Sequence, residues 1–280
     1  MTIREALRSA AERLELHHVS NARLTAELLL AYALSTSREY LYSHDDRVLT
    51  GEESQKLEDV LYDRIGGVPL QYIVGRQEFY GRYFHVNPAV LIPRPETEYI
   101  VEAVLGSRGK LPHPPSIIDV GTGSGCIAIT LALEIPDATV FAADISEEAL
   151  RVAKQNATAL GANVGFVCMD VLDGIQGGRF DFIVSNPPYV RRDEITYLQR
   201  EVREHEPHVA LFSPLDELAI YRRLVSGAEA MLNSGGYLIL EVGLAMDGKV
   251  LALFGNAWEK LPTKADLQGI PRTVIARKNR

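Results

Sequence analysis

At 280 residues, with 46% hydrophobic and 24% charged residues, the chain has room for about two globular domains. A net charge of −8 offers no basic surplus, which disfavours a partner held by phosphate neutralisation; no nucleic acid is expected. Apolar runs such as "AELLLAYAL" fall short of the roughly 20 residues of a membrane span, and the N-terminus carries charges of both signs, unlike a secretory signal. Two cysteines, Cys126 and Cys168, make neither a disulfide framework nor a metal cage, so a cytoplasmic protein is expected.

The first seventy residues read as helices. Thr2 and Glu5 have capping-box spacing, followed by Leu7, Ala10, Ala11 and Leu14 at helical period. "SNARLTAELLLAYAL" predicts a second helix with Ser20 as cap, and "SREYLYSH" a short third. Thr50 and Glu53 repeat the capping box before a helix that Gly66–Gly67 ends. Residues 1–75 therefore form a small helical bundle. From Val68 the period changes, and β-branched and aromatic residues broken by Gly75, Gly81, Asn87 and prolines predict a β-hairpin linker over 76–95.

Over 96–280, strands and helices alternate, which means a mostly parallel sheet covered on both faces: an α/β, Rossmann-like domain. The last two strand-like pieces, "AWEKLPTKAD" and "RTVIARK", have no helix between them and predict an antiparallel edge pair.

Within that domain "IIDVGTGSGCIAI" puts Asp119 at a strand end and a loop of Gly121, Thr122, Gly123, Ser124 and Gly125 before a helix. Ligands of doubly wound sheets bind beyond such strand ends. The G-x-G-x-G spacing is not that of a dinucleotide loop, and no Lys-Ser/Thr pair marks a triphosphate loop. Asp144 closes the next strand, where a carboxylate can accept both hydroxyls of a ribose. An adenosine ligand without phosphates, S-adenosylmethionine, suits the combination, with Asp170 and Val171 flanking the adenine. A glycine-rich turn with no ligand is the plainer reading of the loop taken alone.

"FDFIVSNPPYV" ends a buried strand in an amide, two prolines and an aromatic ring, on the same rim as the glycine loop. An amide or aromatic-amine nitrogen is a poor nucleophile, because its lone pair is delocalised. Methylating it requires positioning and charge stabilisation. The Asn186 side-chain oxygen and the Pro187 carbonyl can each accept one N–H of an NH₂ group. Pro187 and Pro188 stiffen the loop, and Tyr189 offers a flat face. A Pro-Pro turn that merely ends a strand is the structural alternative. "EHEPH" has the wrong spacing for a zinc site and Pro207 breaks its helix, so no metal is expected. Cys126 reads as a small buried hydrophobe, and Glu241, after the strand "YLIL", reads equally as a residue of the active rim or as a structural one.

The segments "PLQYIVGRQEFYGRYFHVNPAVLIPRPETEYIVE", "DVGTGSGCIAI", "FDFIVSNPPYV", "EHEPHVAL" and "GGYLILEVG" together resemble the HemK/PrmC family, the protein-(glutamine-N5) methyltransferases of peptide chain release factors. The clamp "NPPY" alone is shared with adenine-N6 nucleic-acid methyltransferases, the alternative function; the segment ending "IPRPETE" separates the two. The resemblance implies a monomer whose helical domain helps dock a release factor. It implies methyl transfer to the glutamine amide of a Gly-Gly-Gln motif, leaving S-adenosylhomocysteine. Implied cofactor contacts are Gly121 through Gly125, Asp144, Val171 and Asn186; implied substrate contacts are Asn186, Pro187, Pro188 and Tyr189. The chain departs from the family at "FSPLDELAIY", around Ser213–Pro214, and at Pro271, where an acid is common. Neither change touches the clamp or the glycine loop.

Overall fold

The computed structural model describes residues 1–111, 113–174, 179–213 and 216–279; Pro214 lies outside them. The chain divides into two units, Met1–Arg76 with Gln199–His205, and Gln77–Leu198 with Glu206–Arg280.

The first unit holds α1 (Ile3–Leu16), α2 (Ala22–Ala33), α3 (Arg38–Ser43), α4 (Gly51–Ile65) and α5 (Leu70–Val74). Both capping boxes form: Thr2 Oγ1 accepts from Glu5 N at 3.2 Å while the Glu5 carboxylate accepts from Thr2 N at 2.8 Å, and Thr50 and Glu53 repeat the pattern. Ser20 does not cap α2. Asn21 takes that position in a left-handed conformation (φ 51°) and makes no side-chain cap bond, while the Ser20 carbonyl accepts from Thr25 Oγ1 at 3.4 Å. The apolar faces of α1, α2 and α4 meet in one core that includes Ile3, Leu14, Leu30 and Leu57.

The second unit begins with β1 (Arg76–Phe79), whose first residue belongs to the first unit, and β2 (Arg82–His85). Tyr80 and Gly81 both take positive φ, 51° and 73°, the geometry of a two-residue hairpin turn. Read from the sequence as a linker, this hairpin also has a core role. Phe79 and Phe84 are buried in the hydrophobic cluster on one face of the main sheet.

Beyond the hairpin come α6 (Glu98–Arg108), β3 (Ser116–Val120), α7 (Cys126–Glu134), β4 (Thr139–Asp144), α8 (Glu147–Leu160), β5 (Gly165–Cys168) and β6 (Phe180–Ser185). They are followed by α9 (Arg200–His205), α10 (His208–Leu211), α11 (Ala219–Met231), β7 (Leu232–Glu241), α12 (Asp247–Leu251), β8 (Trp258–Lys260), β9 (Lys264–Ala265) and β10 (Pro271–Lys278). Helix α9 belongs with the first unit, where Glu201 pairs with Arg64 of α4 at 2.7 Å.

The strands order as β5-β4-β3-β6-β7-β10-β8, with β9 paired to β10; from β5 through β7 neighbours run parallel. Side chains alternate between two cores. Ile117, Phe182, Val184 and Tyr237 enter one with α6 and α7, while Ile118, Ile183, Leu238 and Leu240 enter the other with α11 and α12. The C-terminal strands are antiparallel, as the sequence predicts, but β10 lies between β7 and β8. Its middle residues Thr273 to Ala276 are all buried and require cover on both sides; β8, with Glu259 and Lys260 exposed, serves as the edge. Pro271 opens β10 opposite Ala265, at a register shift where a missing N–H is tolerated. Cys168 is exposed on edge strand β5, whereas Cys126 is buried, and burial pushes its thiol up to about 12. No helix among the described residues is long and apolar enough to cross a membrane.

Candidate functional site

Strand β3 sits where the winding reverses, with β4 on one side and β6 on the other, and the loops after β3 and β6 diverge at that point. The buried hydroxyl of Ser185, at the end of β6, donates to the Val120 carbonyl at 2.6 Å and fixes the two strand ends together. A cavity of about 500 Å³ opens here, within the usual range for a small-molecule site. Its walls include Gly121 to Ser124, Asp144, Val171, Asn186, Pro187 and Pro188.

The glycines divide their work. A Cβ on Gly121 or Gly123 would meet nothing within 4 Å, but their φ values of 73° and 54° keep the loop against the cavity. Gly125 is a packing position outside the cavity walls: a Cβ there would lie 2.8 Å from Ile129 Cδ1 and 3.1 Å from Ala153 Cβ, so its absence lets α7 and α8 approach.

Four of the loop's five amides, those of Gly121, Thr122, Gly123 and Gly125, are already engaged. Gly121 N and Thr122 N donate to the Ala143 carbonyl at 2.8 and 3.0 Å, Gly123 N to Asp144 Oδ2 at 2.9 Å, and Gly125 N to the Thr122 carbonyl at 2.9 Å. A phosphate would need those N–H groups turned outward as a nest. The Asp144 carboxylate takes a second bond from Ser146 N on Oδ1 at 2.9 Å, which leaves lone pairs on both oxygens for hydroxyl donors. Burial raises its pKa, and the Ser146 and Gly123 amides oppose the rise. Behind the loop, Asp119 is fully buried and accepts from Thr122 Oγ1 at 2.6 Å; burial pushes its carboxyl up to about 7. These residues suit an uncharged diol such as a ribose better than a phosphate.

Val171 holds a left-handed backbone (φ 56°), an outlier for a β-branched residue, at the cavity wall. Its neighbour Asp170 is engaged by Arg223, whose Nη1 donates to Oδ1 at 3.0 Å. The Asn186–Pro188 stretch, also in the cavity lining, is pinned just downstream: Val190 N donates to the Leu211 carbonyl at 3.0 Å and Ser213 N to the Val190 carbonyl at 3.1 Å. Tyr189 does not line the cavity; its ring packs on Gly243, where a Cβ would stand 3.0 Å from Tyr189 Cδ2. Burial pushes its hydroxyl up to about 12. Glu206 of the "EHEPH" stretch is buried and paired with Arg94 at 2.6 Å.

Sequence reasoning missed two residues. Thr97 lines the cavity and contacts both Asn186 and Glu241; its signal was its place in "IPRPETE", ahead of a helix it does not cap. Asn156 of α8 is buried and bridges three segments. Its Nδ2 donates to the Ser124 and His85 carbonyls at 2.8 and 3.0 Å, and its Oδ1 accepts from His85 N at 2.7 Å. Asn156→Ala leaves those backbone groups unpaired, and should lower unfolding stability by about 3 kcal/mol in denaturant titrations.

The strand order, glycine loop and strand-end acid define a Rossmann-like methyltransferase class. The chain aligns with a solved methyltransferase from Pyrococcus furiosus at a TM-score of 0.52 and 18% identity, covering 81% of this chain and 100% of that one, a likeness of fold. Residues 5–75 match the PrmC N-terminal domain, and residues 104–204 the methyltransferase small domain. The release factor glutamine methyltransferase of Koribacter versatilis is 45% identical, over 99% of both chains. That of Geobacter sulfurreducens is 41% identical, over 99% of this chain and 96% of its own. The chain belongs to the release factor glutamine methyltransferase family.

Proposed function

We propose that this enzyme methylates the side-chain amide nitrogen (N5) of the glutamine in the Gly-Gly-Gln motif of a peptide chain release factor, with S-adenosylmethionine as donor. The observation that supports the reading is one cavity lined by both Asn186–Pro188 and Asp144, beside a glycine loop in which the Gly121, Thr122, Gly123 and Gly125 amides are already bonded within the protein. Bound S-adenosylmethionine supplies a sulfonium-activated methyl group and is left as S-adenosylhomocysteine.

Gly121 through Ser124 form the floor for the donor, which Gly125 supports by letting the helices close, and Asp144 accepts the ribose hydroxyls. Val171 and the backbone beside it face the adenine. Asn186 Oδ1 and the Pro187 carbonyl each accept one N–H of the glutamine amide, which aims the nitrogen lone pair at the methyl group. Pro187 and Pro188 keep that geometry rigid, since small misplacements are costly in rate. Tyr189, packed on Gly243, sets where the loop leaves the rim. No strong base is needed, because the nitrogen turns acidic on alkylation and loses its proton to solvent. The helical unit helps dock the release factor, and the enzyme works as a cytoplasmic monomer. A net charge of −8 gives nucleic acid little to bind.

Mass spectrometry of a purified release factor, incubated with the enzyme and S-adenosylmethionine, tests the reading. A gain of one methyl group on the Gly-Gly-Gln glutamine is the expected result. A gain on oligonucleotides instead, with the release factor unmodified, would overturn it.

A further inference from the structure

Asn186 can serve as an acceptor only if its amide is turned the right way. An amide that presents its NH₂ would repel the donor groups it has to hold. The side chain therefore needs a partner that fixes which end faces the cavity.

Its Nδ2 donates to Thr97 Oγ1 at 3.1 Å, and Thr97 Oγ1 donates to Glu241 Oε2 at 2.7 Å. Thr97 and Glu241 are almost wholly buried, 2% and 3% exposed. Thr97 stands at the start of α6, where a threonine commonly caps the helix, yet it makes no cap bond. Its hydroxyl has one proton. An ionised Glu241 can only accept, so that proton must point to Glu241. The Thr97 oxygen is then left as an acceptor, and the Asn186 group facing it must be NH₂. Glu241 is itself held in place: the Tyr221 hydroxyl donates to its main-chain carbonyl at 2.9 Å.

We propose that Thr97 and Glu241 are positioning residues that set the polarity of the clamp, a one-way hydrogen-bond relay that leaves Asn186 Oδ1 facing the substrate amide. This rests on the functional reading above. Protonating Glu241 reverses the logic. A carboxylic acid can donate to Thr97, whose proton then turns to Asn186 and favours the flipped amide. Burial pushes Glu241 up to about 7, so the relay is set correctly above that pH and lost as pH falls through it. Facing this carboxyl are Glu96 and Arg94 ahead of α6, Arg272 of β10, Tyr189 after β6, Tyr221 of α11 and Cys126 of α7. Glu96 opposes its ionisation, while Arg272 and Arg94 favour it.

Thr97→Val keeps the shape and removes the relay; Thr97→Ser keeps the hydroxyl. At pH 8, Thr97→Val should lower kcat at least about 30-fold, while calorimetric affinity for S-adenosylhomocysteine stays within about twofold and Thr97→Ser recovers at least a third of the activity. Adding Thr97→Val to Asn186→Ala should cost nothing more, because a residue acting through Asn186 has nothing left to act on. Glu241→Gln, which cannot ionise, should remove the acidic limb near pH 7 from the kcat profile. A full additional loss in the double variant, or a limb that persists, would overturn the relay. A second readout needs no activity. In protein labelled with 15N-asparagine, the Asn186 side-chain signal, identified by its loss in Asn186→Ala, should exchange its protons with water at least about tenfold faster in Thr97→Val. Unchanged exchange would overturn the relay even if the wild-type enzyme left release factors unmethylated, a result that would by itself overturn only the functional reading.

Discussion

Asn186→Ala is expected to lower kcat for glutamine methylation by about a thousandfold, the scale seen when one preorganised hydrogen-bonding group is removed from a site of developing charge. The substrate amide gives up its conjugation as the N–C bond forms, so its N–H groups become stronger donors in the transition state than in the ground state. An acceptor placed for them therefore contributes mainly to kcat. Asn186 follows β6, on the other side of β3 from β4, whose end carries Asp144, so affinity for S-adenosylhomocysteine, read by calorimetry, should change by only a few-fold. The local backbone keeps its course, since Ser185 on one side and the Val190–Ser213 pairing on the other hold the loop independently of the amide. A variant that keeps a tenth or more of wild-type kcat would mean that the Pro187 carbonyl alone positions the nitrogen.

The glycine loop, Asp144 and the proline pair were legible because each is a local motif: a few consecutive residues fix the backbone, and the strand before each fixes its side of the sheet. The parts that escaped depend on distant contacts. Thr97 and Glu241 are 144 positions apart in the chain and meet only because α6 and β7 pack in one domain. Asn156 reads as an ordinary polar residue on a helix, yet its amide holds the hairpin and the glycine loop together. Tyr189 reads as a free aromatic surface beside the prolines; only the fold shows Gly243 lying under its ring. The insertion of β10 between β7 and β8 was equally hidden, since order along the chain does not state order across a sheet. Gly125 was read as a ligand contact with its neighbours, because a run of alternating glycines gives no hint that the third one faces a helix.

The buried acids at the site also set a stability profile, and Asp119→Asn is expected to raise stability at pH 8 by about 2–4 kcal/mol. Burial is the main cause that moves the Asp119 carboxyl from 3.8 to about 7; the nearby Asp144 charge adds to it, and the bond from Thr122 only partly offsets it. Between about pH 4 and 7 the folded protein therefore holds a proton that the unfolded chain has released. Stability from this group is fully present below pH 4 and falls as pH rises to about 7, by at most about 1.4 kcal/mol per unit, then levels off. An asparagine in that position is neutral throughout and still offers an oxygen to the Thr122 hydroxyl, so the penalty at alkaline pH disappears. Denaturant unfolding of both proteins at pH 5 and pH 8 isolates the effect, because the similar slope from Glu241 is common to both and cancels in the comparison. The gap between variant and wild type should widen from pH 5 to pH 8. An equal gap at both values would mean that Asp119 ionises at an ordinary pKa, with the Thr122 hydroxyl fully compensating its burial. A widening gap would mean that the enzyme retains a destabilising acid at the root of its glycine loop. That stability is given up to hold Thr122, and with it the turn that lines the cavity, in one conformation.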